Sequence, residues 1–169
     1  MPGELIVAAL VGIPFGVWAL RVLDEQVILK MLGFIIIGFA IYALLNFRLP
    51  ELAHQAWAYI FGFTGGLFGG AYNISGPPVI VFGNCRRWER ETFKSNLQGF
   101  FFVSSIFVVV VHALNHNLTM TVWELYLWSV PAMFLGILLG TYLDRFINPF
   151  LYRRIVLGLL VVLGLRLIL

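Results

Sequence analysis

The sequence predicts an all-α polytopic helical membrane protein. Of its 169 residues, 61% are hydrophobic and only 11% are charged, whereas soluble domains carry about 25% charged residues. A membrane-spanning helix needs roughly 20 mostly apolar residues, and several segments of the chain meet this length. So little charge cannot cover a water-facing surface, which excludes a soluble protein. The net charge of +3 gives no indication of nucleic-acid binding.

The apolar segments predict about six spanning helices within a single transmembrane domain, residues 1–169. Short connections between them predict antiparallel helical hairpins. The third segment is interrupted by a Gly-Pro-Pro sequence and is therefore expected to contain a broken helix. The six predicted spans are Leu5–Leu23, Val27–Phe47, Ala56–Phe82, Asn96–Leu114, Thr121–Leu143 and Phe150–Leu169.

The basic residues predict an orientation in the membrane. If all six segments cross, most of the 11 Lys and Arg residues fall on one side. The positive-inside rule then places the loops near 24, 84–95 and 144–149 in the cytoplasm and both termini outside. We expect a multi-pass protein of the bacterial inner membrane. The basic loop Arg86–Lys94 is interpreted as a topology anchor, with an anion-attracting entrance as the alternative.

An internal repeat relates residues 12–30 to residues 136–154 without a gap. The matched pairs include Gly12 with Gly136, Ile13 with Ile137, and Gly16 with Gly140. The match predicts a partial parallel four-helix repeat, in which residues 1–50 end the first unit and 51–169 form the second. Three alternatives follow: a chain that lacks the first two spans, a natural six-span protein, or a site completed by another chain.

Residues 62–78, which read GFTGGLFGGAYNISGPP, predict the functional site. Gly62, Gly65 and Gly66 form a stripe of small residues that favours close helix packing. Ser75 is a good N-cap and the following prolines suit a first helical turn, so one half-helix ends here and another begins. Such a break survives inside a membrane only against protein or a polar cavity, and in transporters it commonly marks the substrate site.

We expect the broken segment to bind a small anion near a helix N-terminus. The alternative is a purely structural break. The predicted substrate-binding residues are Gly69, Gly70, Asn73, Ser75, Gly76, Pro77 and Pro78.

Other polar residues give weaker signals. Asn96 and Gln98 lie near the start of a span, where interfacial hydrogen bonding explains them as well as a cavity does. His112 and His116 have the spacing of two metal ligands on one helical face, but no Glu or Cys accompanies them, so we interpret them as interfacial. No metalloprotease motif, phosphate-binding loop or nucleophile–base pair is present. We therefore expect no metal site, no cofactor and no enzyme activity.

The segment GGLFGGAYNISGPPVIVFG, followed by a basic turn and FKSNLQGFFF, resembles the TauE/SafE family of sulfite-exporter-like membrane proteins. The resemblance implies transport, often export, of small anions such as sulfite, organosulfur compounds and related carboxylates or sulfonates across the inner membrane. The positions that match the conserved glycine–proline segment of the family are Gly65, Gly66, Gly69, Gly70, Gly76, Pro77 and Pro78.

The function we expect is secondary transport of small anions, in the export direction, by a complete or a truncated chain. The alternative is a non-transporting membrane scaffold or assembly subunit whose glycine stripe binds a partner helix. The expected partners are a small anionic substrate, membrane lipid, and either further copies of the chain or a completing chain. Nucleic acid is not among them.

Overall fold

The computed structural model describes residues 3–45, 50–144, 146 and 148–168, and this part of the chain forms seven helices and no strand. Four helices, α1, α2, α5 and α6, are long and apolar enough to cross a membrane. The prediction of an all-α polytopic membrane protein is thus confirmed. The helices are α1 (Gly3–Val22), α2 (Glu25–Leu45), α3 (Ala56–Tyr72), α4 (Gly76–Cys85), α5 (Arg90–Leu114), α6 (Met120–Asp144) and α7 (Pro149–Ile168).

Some sequence-based predictions fall outside the described residues. These are the span end at Phe47, the two chain ends Met1 and Leu169, and part of the predicted loop at 144–149.

Helices α1 and α3 pack side by side and run in the same direction. A Cβ atom added to Gly62 would overlap the carbonyl oxygen of Leu5, and one added to Gly66 would overlap that of Ala9. The residue numbers rise together along both helices, so the pair is parallel. Because glycine has no side chain, the two backbones can touch, which is how small-residue stripes join helices in lipid.

Helices α3 and α4 form a re-entrant hairpin. The rings of Phe61 on α3 and Phe82 on α4 have centroids 5.6 Å apart. The amide of Leu52, just before α3, donates to the carbonyl oxygen of Cys85, the last residue of α4, at 3.1 Å. Helix α4 therefore returns to the end of the bundle from which α3 started.

This return corrects the prediction that Ala56–Phe82 is one broken span. The break itself lies where it was predicted, between α3 and α4. However, the second half-helix reverses direction instead of continuing across. With ten residues it is about 15 Å long, too short for a span and of a length typical of re-entrant segments.

The reversal also defines the two ends of the bundle. Glu4, Gln55, Arg86 and Thr92 line one cavity, so α1, α3 and α5 all begin at the same end, which we name the Arg86 end. Arg21, at the close of α1, donates to the carbonyl oxygen of Asn115, which follows α5. We name this opposite end the Arg21 end.

The predicted placement of all basic loops on one side is therefore wrong. The loop near residue 24 lies at the Arg21 end, whereas the Arg86–Lys94 segment lies at the Arg86 end, separated from it by α5. That helix has 25 residues and is about 37 Å long. The prediction failed because it counted the α3–α4 segment as a crossing. Every residue after α4 was therefore assigned to the wrong end of the bundle relative to the residues before α3.

Helices α2 and α7 pack antiparallel through glycine. A Cβ on Gly33 would lie 2.7 Å from the carbonyl oxygen of Gly164 and 2.8 Å from a side-chain carbon of Ile168, while Gly164 faces Ile37. Since α2 begins at the Arg21 end, α7 ends there. The first and last described residues, Gly3 and Ile168, are therefore at opposite ends of the bundle, whereas the sequence predicts both termini on one side.

The two hairpins matched by the internal repeat, α1–α2 and α6–α7, consequently run in opposite directions. Their buried positions still correspond: Gly33 and Ala40 on α2 match Leu157 and Gly164 on α7 at the same offset that aligns residue 12 with residue 136. The arrangement is inverted, as in many secondary transporters, and not parallel as predicted. The reason is again that α4 returns: α3 and α4 together do not cross, so α5 is the one crossing helix between the two hairpins. A single crossing turns the second hairpin over relative to the first.

Candidate functional site

The tip of the re-entrant hairpin is built by the backbone preferences of Asn73. This residue adopts a left-handed conformation, with φ 56° and ψ 29°, which asparagine tolerates better than most residues. Its amide donates to the carbonyl oxygen of Gly69 at 2.9 Å, and the amide of Ile74 donates to that of Phe68 at 3.3 Å. The bond from the left-handed Asn73 to the carbonyl four residues before it is that of an αL-type C-cap, so α3 ends with the carbonyl groups of Gly69 and Phe68 satisfied.

Helix α4 starts directly beyond the tip. Ser75 occupies the N-cap position, but its side chain makes no capping hydrogen bond. Pro77 and Pro78 fill the first turn, where the missing N–H groups cost least. The hydroxyl of Ser75 and the side chain of Asn73 are thus the polar side-chain groups that the tip offers, with Asn73 exposed and Ser75 half-buried.

The glycine stripe of α3 divides into two faces. Gly62, Gly66 and Gly70 contact the backbone of α1, and Gly70 would clash with the carbonyl of Ile13 if it carried a Cβ. The second face is turned toward α4, where a Cβ on Gly69 would lie 3.3 Å from that of Ser75. Gly65, on this same face, would have its Cβ 3.2 Å from the side chain of Val79. The paired glycines therefore let α3 approach a neighbour on each side.

The predicted substrate-binding residues do not converge on one cavity. Asn73, Ser75 and Gly76 are together at the tip, whereas Gly70 is packed against α1. Pro77 and Pro78 line a separate cavity of about 340 Å³ between the hairpin and α2. Its lining is mainly apolar: Phe34, Ile35, Gly38, Phe39, Tyr42, Phe61, Thr64, Phe68, Pro77, Pro78 and Val81.

Two hydrogen bonds hold the tip to its neighbours. The Nε2 atom of His112 on α5 lies 3.2 Å from the carbonyl oxygen of Gly70, and its Nδ1 lies 2.9 Å from the side-chain amide nitrogen of Asn117. A carbonyl can only accept, so Nε2–H donates to Gly70 and Nδ1 accepts from Asn117. The hydroxyl of Tyr72 donates to the carbonyl of Ile28 on α2 at 3.0 Å. His112 is thus a tip residue, which the interfacial interpretation missed.

A polar cavity of about 490 Å³ opens at the Arg86 end. Helices α1, α3, α4 and α5 all contribute to its wall, which consists of Glu4, Ala53, Gln55, Ala58, Phe82, Arg86, Trp88, Thr92 and Asn96. We name it the Arg86 cavity. Arg86 donates to the carbonyl oxygens of Leu52 at 3.1 Å and Ala53 at 2.6 Å. On another wall, Gln55 donates to the carboxylate of Glu4.

An apolar layer adjoins the Arg86 cavity on its inner side. It contains Leu5, Ala58, Phe82 and Phe100, each at most 2% exposed. Asn96 lies one helical turn from Phe100 and is itself only 8% exposed. The layer therefore separates the polar groups of the cavity from the hairpin tip.

Comparison with known families gives a match over almost the entire described chain. The profile described as "Sulfite exporter TauE/SafE" matches residues 3–167. The chain belongs to the TauE/SafE family. The comparison with curated proteins and the comparison with solved structures each gave no significant match.

Family membership gives the site its chemical context. TauE/SafE proteins are membrane transporters of sulfite and related anions, and the apolar helices of this chain fit a multi-pass protein of that class. In this TauE/SafE chain the signal for the hairpin was present in the glycine and proline spacing. The Arg86 cavity had no comparable signal, because it gathers residues that are distant in the sequence.

Proposed function

We propose that the chain is a secondary transporter that exports small oxyanions, such as sulfite and related sulfonates or carboxylates. The observation that carries this proposal is the α3–α4 hairpin, which ends a helix inside the bundle at Asn73–Gly76. Irregular backbone at such a place is tolerated where it lines a cavity or is buried in protein, and in transporters it commonly forms the binding site.

The proposed path runs from the Arg86 cavity to the tip. An anion that enters the cavity is stopped by the apolar layer of Leu5, Ala58, Phe82 and Phe100. Two of these residues, Phe82 and Phe100, lie on different helices, α4 and α5. A displacement of the short α4 away from α5 would open the layer, and its closure behind the anion would complete an alternating-access cycle.

The proposed direction follows from charge. Arg86, Arg87, Arg90 and Lys94 lie together at the Arg86 end, whereas Arg21 and Lys30 belong to the opposite end. The positive-inside rule then places the Arg86 end in the cytoplasm, so the cavity would load from inside the cell. The start of α1 would also be cytoplasmic and the end of α7 external.

Flux measurements test this proposal. The purified chain is reconstituted in liposomes, and sulfite efflux is followed for the wild type, Ser75→Ala and Gly76→Leu. A Cβ on Gly76 would lie 3.7 Å from Phe101, so a leucine fills the tip, whereas Gly158 on α7 has nothing within 4 Å and Gly158→Leu is a matched control. We expect both tip variants to reduce efflux and the control to retain it. Efflux unchanged by both tip variants would overturn the site.

One observation favours the competing proposal of a non-transporting assembly subunit. Residues 120–143 of α6 are exposed with the sole exception of half-buried Val130, and a Cβ added to Gly136 or to Gly140 would meet no atom within 4 Å among the described residues. A partner helix, from a second copy or from a completing chain, could pack there. Constant co-purification with another membrane protein, together with no efflux in liposomes, would favour this alternative.

A further inference from the structure

We propose that the Arg86 cavity is a binding site for a small monovalent oxyanion, a sulfonate, hydrogensulfite or carboxylate, held by Arg86, Thr92 and Asn96. The inference deepens the proposed transport function and rests on it for its physiological meaning, since it names the site where the anion first binds. Binding itself is a separate property that can be measured without transport.

Asn96 supplies the first argument. The residue is only 8% exposed, lines the cavity, and its side-chain amide makes no hydrogen bond to another described residue. Among the described residues, no fully buried side-chain nitrogen or oxygen atom lacks a partner, so the amide of Asn96 uses the small exposed area of the residue. Its N–H groups are thus accessible from the cavity and can donate to a bound anion.

Arg86 supplies the second argument. Its guanidinium is positioned by two neutral carbonyl oxygens, those of Leu52 and Ala53. No carboxylate forms an ion pair with it in the described part of the chain. By contrast, the adjacent Arg87 is paired with Glu51 at 3.3 Å. A guanidinium that neutral groups orient and that no carboxylate contacts directly is suited to carboxylate-like oxyanions, with which it forms strong charge-assisted hydrogen bonds.

Thr92 completes the donor set. It precedes Asn96 by four residues, so the two side chains share one face of α5, and both line the cavity. They also lie in the first two turns of a 25-residue helix, where the helix dipole favours negative charge. Hydroxyl, amide and guanidinium donors are therefore offered from two segments of the chain toward one space.

The opposite wall limits the charge of the ligand. Glu4 lines the same cavity and is held by Gln55. The lining holds one basic group, Arg86, and one acidic group, Glu4, so a second negative charge on the ligand gains no net Coulomb attraction while the hydration that it loses costs more. The volume of about 490 Å³ accommodates an anion of a few heavy atoms with several waters, each of which occupies about 30 Å³.

Calorimetric titration of the purified chain with sodium methanesulfonate, a monoanion, and sodium sulfate, a dianion, tests the proposal. We expect methanesulfonate to bind and sulfate to bind at least about tenfold more weakly. Asn96→Asp, which keeps the shape but replaces donors by a carboxylate, and Arg86→Gln should each weaken methanesulfonate binding about tenfold or more. The matched controls are Gln98→Asp, on the exposed face of α5, and Arg87→Gln, outside the cavity; neither should change binding.

Arg86 also binds backbone carbonyls, so its replacement could disturb the fold. Thr92→Val keeps the size of the side chain, removes one hydroxyl that has no partner among the described residues, and should still weaken binding. Unchanged methanesulfonate binding in Asn96→Asp and Thr92→Val would overturn the proposal, as would equal losses in the matched controls.

Efflux measured on the same preparations separates this proposal from the proposed function. Site-dependent binding without any wild-type efflux would reject transport and support the binding site. Efflux and methanesulfonate binding that Asn96→Asp and Arg86→Gln both leave intact would support transport and reject the site.

Discussion

Gly70 and His112 are joined across the interface of α3 and α5, with the imidazole Nε2 3.2 Å from the glycine carbonyl oxygen. Gly70 lies in the last turn of α3, where carbonyl groups lose their helical partners. In an apolar surrounding such a group needs another donor. His112 provides it and thereby fixes the position of the hairpin tip relative to α5.

We predict that His112→Asn lowers stability, because asparagine is too short to reach Gly70. The expected loss is about 1–2 kcal/mol, the cost of one unsatisfied buried acceptor. His116→Asn is the matched control, since His116 is exposed and its left-handed backbone, with φ 57°, tolerates asparagine. Thermal unfolding in lipid nanodiscs measures both variants; equal midpoints for His112→Asn and the wild type would contradict the role of the imidazole.

We predict that Gly66→Ala disrupts the packing of α1 on α3. The new Cβ would overlap the backbone of Ala9, which cannot rotate away as a side chain could, so the helices must separate. Overpacking of this kind costs about 1–3 kcal/mol or more. In Gly158→Ala, which has open space around the same new methyl group, stability should be equal or slightly higher. Size-exclusion chromatography of the solubilised variants reports the folded fraction.

We predict that Leu52→Cys becomes cross-linked to the native Cys85. The amide of Leu52 is bonded to the carbonyl of Cys85, so the two residues are neighbours only because α4 returns. If Ala56–Phe82 crossed the membrane, they would be separated by its hydrocarbon thickness of about 30 Å. Because the Cys85 thiol is buried, the link is formed directly as a disulfide by catalysed air oxidation, and mass spectrometry detects it. Thr119→Cys, at the opposite end, should give no link to Cys85, and a link there instead would refute the hairpin.

We predict that the two ends of the bundle face different compartments. In a Cys85→Ala background, Glu91→Cys should react with a membrane-impermeant maleimide only from the cytoplasmic side, and Thr119→Cys only from outside. Glu91 is exposed and Thr119 lies in the loop before α6, so reactivity at both reports sidedness and not burial in the core. Labelling of intact cells and of inverted vesicles gives the two measurements. Reaction of both cysteines from the same side would contradict the returning α4.

The sequence was sufficient to locate the break but not to determine its direction. Ser75, Gly76 and the following prolines define where α4 begins, because these preferences are local. Whether α4 continues or reverses depends on packing such as that of Gly65 against Val79, two residues that are far apart in the sequence and meet only after the reversal. Hydropathy is the same in both cases. The length of the segment does indicate a reversal, because the 27 residues from Ala56 to Phe82 are more than one span needs.

The candidate sites likewise combine features that the local sequence predicts with features that depend on tertiary packing. The glycine spacing predicted close approach, and α1 and α4 are indeed in contact with α3. In contrast, His112 is bonded to a backbone carbonyl, a group that every residue carries, so the sequence gives no indication of which residue is its partner. Arg86 and Asn96 lie in different segments, and only the folded structure shows that they line the same cavity.

The contact of Gly33 with Gly164 has a mechanical consequence. The side chain of Ile168 packs at Gly33 and that of Ile37 packs at Gly164, so each helix seats a branched side chain in the groove that the other helix's glycine leaves. This interlocking holds the crossing angle of the two helices. We therefore expect α2 and α7 to move as one rigid pair, so that any rearrangement of the bundle takes place between this pair and the remaining helices.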